Sequence, residues 1–406
     1  MKIIGIVSEY NPFHNGHAYQ VQKSIQELDA DGVIAIMSGN FVQRGHPAFM
    51  DKWTRAKMAV VSGVNLVIEL PTYFATSSAE AFAYGAVALL ESTGVVTHLS
   101  FGSETDHLNV LKEIAYALVF PNKVYQDSFS LALEKGISFP AARSQALQIA
   151  YPDLMANIDL NQSNTILVIE YLKALIQLES NIEPFLVKRI GKSYHDTSTN
   201  DKYVSATGIR EALYHHQDIT SHLPKEAYDI LSKSIYSPVF MKDFETMLLY
   251  RLRLMTKQEL ALVRDVNEGL ENKIVDGAVR CSSYEDLTNH LKSKRYTMTR
   301  INRVLTNALL NINQDKLDLR QYGYIRVLAF DEVGQKILRQ MKKNGYYPII
   351  TNINKHQDYL KDNPLMQLDI RASNLYQLSQ RDIALRIGGR DYLEKPYMHQ
   401  KIGRNE

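Results

Sequence analysis

Two imidazoles, His14 and His17, flank Asn15 and Gly16 where a polar loop closes after the apolar run Ile3 to Val7. A helical spacing of Val21, Ile25 and Leu28 follows at once. In a parallel α/β sheet a strand-to-helix junction faces the ligand crevice. The helix start offers unpaired N–H groups and the positive end of a dipole, which suits phosphate. Gly16 lets the backbone approach a nucleotide. Two histidines can donate hydrogen bonds to charge developing on a phosphoryl group in flight. The junction therefore reads as a site where ATP is bound and cut between its α- and β-phosphates. The plain alternative is a pair of histidines that only cap a helix. A zinc site is the poorer reading, because no third ligand or glutamate base stands nearby.

Three other stretches carry candidate chemistry. Ser205-Ala206-Thr207-Gly208-Ile209-Arg210 opens a further helix. The Ser205 and Thr207 hydroxyls and the helix N–H groups can hold β- and γ-phosphates, and Arg210 is a permanent planar cation for leaving pyrophosphate. Ser and Thr are also ordinary helix caps. Asn40-Phe41-Val42-Gln43-Arg44-Gly45, with Lys52 and Arg55 just beyond, reads either as a loop that clamps a base or incoming RNA, or as a lid. His290 to Arg303 holds Lys292, Lys294, Arg295, Arg300 and Arg303 with Tyr296 among them and no acid. With Ile301, Leu305, Leu309 and Ile312 turned inward, Arg300, Arg303 and Asn307 share a face that can track phosphates, unless it is simply a solvated basic helix. Gly191-Lys192-Ser193 is not a P-loop, since Leu186 stands where its first glycine belongs. His215-His216 reads as a solvated helix face, and Gly388-Gly389 lacks the preceding strand of a dinucleotide loop.

The elements that must position these residues alternate. Gly32 to Met37 is a second strand, and Asp51 caps a helix through Val61 that Gly63 closes. Leu66 to Leu70 is a third strand, Ser77 or Ser78 opens a helix to Leu90, and Val95 to Phe101 is a fourth strand. That rhythm predicts a Rossmann-like α/β fold with a parallel sheet and helices on both faces. The loops around His14 to His17, Ser38 to Pro47, Pro71 to Ser77 and Gly102 to Asp106 then surround one crevice. Residues 107–180 read as mostly helical, and Glu183 to Ile190 as a further strand. From about Ser237 long amphipathic helices take over, and residues 324–350 return to strand–helix–strand, a small α/β or α+β unit. The predicted division is a nucleotide-binding catalytic domain over 1–235 and a mainly helical C-terminal region over 236–406.

His-x-Gly-His after a first strand resembles the HIGH-type motif of nucleotidyltransferases and class I aminoacyl-tRNA synthetases, and Ser205 to Arg210 resembles their second motif. The longer strings EYNPFHNGH, SGNFVQRGHPAF and NLVIELP are more specific. They resemble the bacterial tRNA(Met) cytidine acetate ligase family over nearly the whole chain, most strongly over Met1 to Arg210. The resemblance implies an enzyme, an acid–AMP-forming ligase. It would activate acetate as acetyl-adenylate and acetylate the wobble cytidine of elongator tRNA(Met) at N4, releasing pyrophosphate and AMP. It also implies ATP contacts from Val7, Ser8, Glu9, Tyr10, Asn11, Pro12, Phe13, His14, Asn15, Gly16, His17, Ala18, Tyr19 and Gln20, and from Gly102, Asn164 and Arg189. The expected catalytic groups are His14, His17 and Arg210, with Ser205 and Thr207 on phosphate, Mg²⁺ as a companion of ATP, and no protein-bound metal.

Composition bounds these readings. The 406 residues, 45% hydrophobic and 22% charged, fit a soluble protein of two or three domains. The net charge of +2 does not advertise nucleic-acid binding, so RNA contact must rest on local clusters. Cys281 is the single cysteine, which excludes an intrachain disulfide and fits a reducing cytoplasm. The opening apolar run is too short for a signal peptide, and no run spans a membrane. Two other functions remain open: a nucleotidyltransferase that adenylylates a small phosphorylated cofactor precursor, and a non-catalytic tRNA-binding module. Oligomeric state is not legible.

Overall fold

The computed structural model describes residues 1–156, 158–160, 162–189, 204–293, 296–315 and 317–400. Its centre is an eight-stranded sheet. The strands are β1 (Ile3–Ser8), β2 (Gly32–Ser38), β3 (Leu66–Leu70), β4 (His98–Ser103), β5 (Glu183–Lys188), β6 (Ile325–Asp331), β7 (Ile349–Ile350) and β8 (Tyr397–His399). Their order is β8-β6-β3-β2-β1-β4-β5, with β7 also on β6. The five strands of this sheet before residue 190 are parallel, and β1 lies between β2 and β4. Every residue of β2 and β3 is buried, as expected of strands covered on both faces.

Helices supply the cover: α1 (Asn15–Leu28), α2 (Lys52–Val61), α3 (Ala79–Ser92), α4 (Lys123–Glu134), α5 (Phe139–Ala150), α6 (Ser163–Gln177), α7 (Ala206–Tyr214), α8 (Met298–Leu310), α9 (Glu332–Asn344) and α10 (Pro364–Leu378). One core joins Ile4, Val21, Trp53, Met58 and Ile209 on the face covered by α1, α2 and α7. The other joins Ile3, Phe82, Leu90, Val168 and Leu172 and continues through Leu305 and Leu309 into the C-terminal helices. The predicted caps are in place. Asp51 accepts from Trp53 and Thr54 N–H, and Ser78 from Ala81 N–H. β4 starts at His98 rather than Val95.

Two expectations about the C-terminal half change. The strand–helix–strand pattern of 324–350 forms, but not as a separate unit: β6 pairs antiparallel with β3, Leu66 opposite Phe330 and Ile68 opposite Val327. A fully buried β3 left at the edge would expose a row of unpaired backbone groups. The sheet therefore crosses the 235/236 division, which stands as a proposal about roles. The long helices expected after Ser237 are instead a series of shorter ones, interrupted by N-caps at Thr256, Gly269, Ser283 and Thr297. Among the described residues no helix is long and apolar enough to cross a membrane.

Candidate active site

A cavity of about 840 Å³ opens at the carboxyl ends of β1 and β4. From Ser8 the chain turns through Tyr10, at a left-handed φ of 42°, and a cis Asn11–Pro12 peptide into α1. The loop is held from below. Fully buried Arg55 donates to the carbonyls of Glu9, Ser38 and Met50, and Phe49 N–H donates to Asn11 Oδ1 at 2.7 Å.

His14 is the N-cap of α1. Its Nδ1 accepts from Gly16 N–H at 3.0 Å, and His17 Nδ1 accepts from His14 N–H at 3.3 Å. The rings stack with centroids 3.8 Å apart. Burial, then the charges of Arg189, Arg210 and His222, push His14 down to about 3. Burial, then His14 and Arg189, hold His17 well below its usual range. Both rings are therefore neutral near pH 7. With each Nδ1 accepting, each Nε2 carries the proton. The capping alternative and the catalytic reading are thus compatible: one nitrogen caps, and the other remains a donor to whatever fills the cavity. A Cβ on Gly16 would lie 2.9 Å from His14 Cε1, so glycine here makes room for the imidazole.

Of the expected Val7–Gln20 run, Val7, Ser8, Glu9, Tyr10, Asn11, His14, His17 and Gln20 line the cavity. Pro12 and Phe13 are buried beneath it, and Asn15, Gly16, Ala18 and Tyr19 are not in its wall. Helical periodicity is the reason: 14, 17 and 20 return to one face, while Asn15 Nδ2 reaches Ser221 O at 2.8 Å.

The second motif meets the first. Ser205 Oγ caps α7 through Gly208 N–H at 3.2 Å. Arg210 spans the junction, donating from Nη1 to Asn11 O at 2.7 Å and from Nη2 to Thr207 Oγ1 at 3.1 Å. Ser205, Ala206 and Arg210 line the cavity, whereas Thr207 lies outside its wall and helps aim Arg210. Gly102, Asn164 and Arg189 line the same cavity. The Arg189 side chain lies against Gly102, and the Asn164 amide donates to Glu104 from the first turn of α6.

Residues 1–391 match the model of the HIGH Nucleotidyl Transferase family. A tRNA(Met) cytidine acetate ligase of Clostridium perfringens is 39% identical, covering 98% of this chain and 99% of that one. One of Thermoanaerobacter sp. is 41% identical, covering 97% and 98%. The chain belongs to this family. Thermotoga maritima TmcAL shares the fold at 35% identity over 99% of this chain and 100% of that one, with a TM-score of 0.93 for the apo crystal form and 0.91 for the form bound with α-thio ATP.

The structure divides the expected RNA-facing residues. Arg300 and Arg303 line the cavity. Both are braced by acids: Arg303 Nε lies 3.3 Å from Asp265 Oδ2, and Arg300 reaches Asp265 O, Asn267 and Glu268. Lys292 is exposed at the end of its helix and lies outside the cavity wall. Lys294 and Arg295 lie outside the described residues, as does Gly191-Lys192-Ser193. The expected open stripe does not form as drawn. Tyr296 is buried, donating to Glu268 O at 3.0 Å, and Asn307 is buried against Thr76 and Arg264.

The Asn40–Gly45 loop is also not an exposed apolar flap, because Phe41 and Val42 are buried. It forms a hairpin, Phe41–Val42 against His46–Pro47, docked on α8, and its Gln43 and Arg44 line the cavity. Lys52 and Arg55 are structural: Lys52 is buried between Glu69 and Asp391, 2.8 Å from each. Pro71–Ser77 is a buried turn under α10, whose Asp369 accepts Thr72 N–H. The cavity also holds residues that sequence reading did not select, including Arg143, Glu170 and Lys173. Their signal was available: Glu170 and Lys173 interrupt the otherwise apolar ILVIEYLKAL of α6.

Proposed function

We propose that this chain activates acetate with ATP and transfers the acetyl group to N4 of the wobble cytidine of elongator tRNA(Met). The observation that carries the reading is a pair of neutral histidines, Nε2–H donors free of the cap, sharing a cavity wall with Arg189 and Arg210. The relatives' name supplies acetate and tRNA(Met), and the α-thio ATP bound by T. maritima TmcAL supports ATP as the nucleotide.

A carboxylate oxygen of acetate attacks the α-phosphorus in line. The bond to the β-phosphate breaks, and pyrophosphate leaves with its electron pair. His14 and His17 hydrogen-bond to the α-phosphoryl oxygens, and being uncharged they avoid the larger desolvation cost of a buried charge. The α1 and α7 starts and Arg210 take the charge that builds on the departing phosphates. The cytidine amine then attacks the acetyl carbonyl, the bond to AMP breaks, and the amine proton is lost. Among the described residues no group of three His, Cys, Asp or Glu forms a metal cage. Mg²⁺ is proposed as a companion of ATP that would neutralise phosphate charge, and Glu9 in the cavity wall is a carboxylate that could help hold it. We place the work in the cytoplasm, where the tRNA is.

The test combines labelled acetate, ATP and total tRNA. ATP-dependent label recovered as acetylated cytidine is the expected result. Transfer of AMP to a phosphorylated small acceptor would replace this reading with a cofactor nucleotidyltransferase. RNA binding with neither product would leave a binding module.

A further inference from the structure

The cavity does not end at the nucleotide wall. It continues along α6 into a compartment walled by α4 and α5, lined by Tyr125, Phe129 and Phe139 and floored by Arg143, Glu170 and Lys173. Tyr125 and Phe129 are stacked with nearly parallel planes, 8° apart with centroids at 5.8 Å, and Phe139 meets Phe129 edge-on at 5.3 Å. Phe139 is 58% exposed, an aromatic at the mouth rather than in the core.

The floor is a charged set held out of water. Glu170 and Lys173 are 3% and 9% exposed. Arg143 donates to Glu170 Oε1, while Lys173 Nζ lies 2.7 Å from both Glu170 Oε2 and Glu80 Oε1. Buried charges of this kind are a weak source of stability, and these line a cavity, where a ligand can reach them. Their capacity is not used up. Each carboxylate oxygen has a second lone pair, and Arg143 has further N–H groups.

We propose that this compartment takes the acceptor pyrimidine of the RNA, and that Glu170 with Arg143 and Lys173 reads its Watson–Crick edge as cytosine; this rests on the function proposed above. Cytosine presents a donor at N4 and acceptors at N3 and O2. The floor presents the complement, a carboxylate acceptor beside cationic donors. Uracil would set its O4 acceptor against the Glu170 carboxylate. A base splayed from its strand stacks on aromatic rings, which the wall supplies. Glu170 lies six residues along α6 from Asn164, about 9 Å at the helical rise, so the compartment adjoins the nucleotide wall.

The test uses the full chain and two variants, Glu170→Gln and Phe139→Ala. It measures acetate-dependent ATP–pyrophosphate exchange, tRNA acetylation, and binding at fixed salt to anticodon stem-loops that differ only by C or U at the acceptor position. The native chain should prefer C about tenfold or more. Glu170→Gln, whose amide can turn a donor or an acceptor to the base, should bring that preference near unity and cut acetylation about 100-fold, with exchange and the KM for ATP within about twofold of native. Phe139→Ala, at an exposed site, should raise the KM for tRNA about tenfold with exchange unchanged. A C preference that survives in Glu170→Gln overturns the proposal. So does a KM for ATP that rises in step with lost acetylation, which would give the compartment to the nucleotide. Absence of acetate-dependent exchange in the native chain would instead overturn the proposed function, and the pocket assignment with it.

Discussion

In the proposed reaction His14 and His17 each have two jobs for two nitrogens, the cap and the donor to phosphate, and the jobs can be separated by substitution. Asparagine places an oxygen near the Nδ1 position and nothing at Nε2. His14→Asn and His17→Asn therefore keep the α1 cap and remove the donor to phosphate. We expect acetate-dependent pyrophosphate exchange to fall about 10²- to 10³-fold in each, with Tm and tRNA affinity close to native. Near-native exchange would leave the histidines as caps only. The same rings make stability depend on pH. Below its ordinary value of 6.5 an unfolded imidazole takes up a proton that the folded chain refuses until about 3 at His14 and about 4 at His46. The unfolded state then binds more protons, so the stability present above pH 6.5 is lost as pH falls through that window. Thermal melts at pH 7.5 and 5.0 should show a larger drop for the native chain than for His14→Asn combined with His46→Asn.

At the level of elements, the hairpin that carries Gln43 and Arg44 is set by its fit to α8. Gly45 has a φ of +73°, and a Cβ there would lie 2.3 Å from the Arg303 backbone nitrogen. Thr306 Oγ1 donates to Gly45 O at 2.8 Å, and Asn302 Nδ2 sits 3.0 Å from His46 Nε2. Gly45→Ala combines a strained backbone with a backbone collision, so the hairpin must lift from the helix. We expect a loss of about 2 kcal/mol in urea unfolding and a several-fold fall in acetylation as Arg44 leaves Ser163 and the cavity wall. A Gly45→Ala protein with native stability and activity would show that the hairpin does not depend on this contact.

Across the whole molecule, the two halves share one sheet and one buried ionic centre. Lys52, from α2, is held by Glu69 on β3 and by Asp391 near the end of the chain. Burial pushes the Glu69 carboxyl above the usual carboxylate range even with Lys52 beside it. Removing Asp391 leaves Lys52 and Arg326 with less compensation out of reach of water. Asp391→Ala should cost about 3 kcal/mol in chemical denaturation, and a fragment ending at residue 235 should not fold, because β3 loses its neighbour β6. A soluble, ATP-binding 1–235 fragment would show that the N-terminal half stands alone.

Local information was enough for the parts whose causes are local. The runs Ile3 to Val7, Gly32 to Met37 and Leu66 to Leu70, the caps at Asp51 and Ser78, and the helix starts at His14 and Ser205 depend on residues within a turn or a strand of one another. The meeting of the two motifs, 199 residues apart, followed from the family resemblance and not from local pattern. Tertiary structure decided what depends on partners beyond the same helix or strand, from 28 to 339 residues away. It buried Lys52, Arg55, Tyr296 and Asn307, because Asp391, the Glu9 carbonyl, the Glu268 carbonyl and Arg264 meet them only after folding. It brought Arg300 and Arg303 to the cavity, where Asp265 braces them. It also set the C-terminal strand–helix–strand into the main sheet as the neighbour of β3. A charge looks the same in sequence whether water or a carboxylate will surround it, and only the packing of distant elements makes that choice.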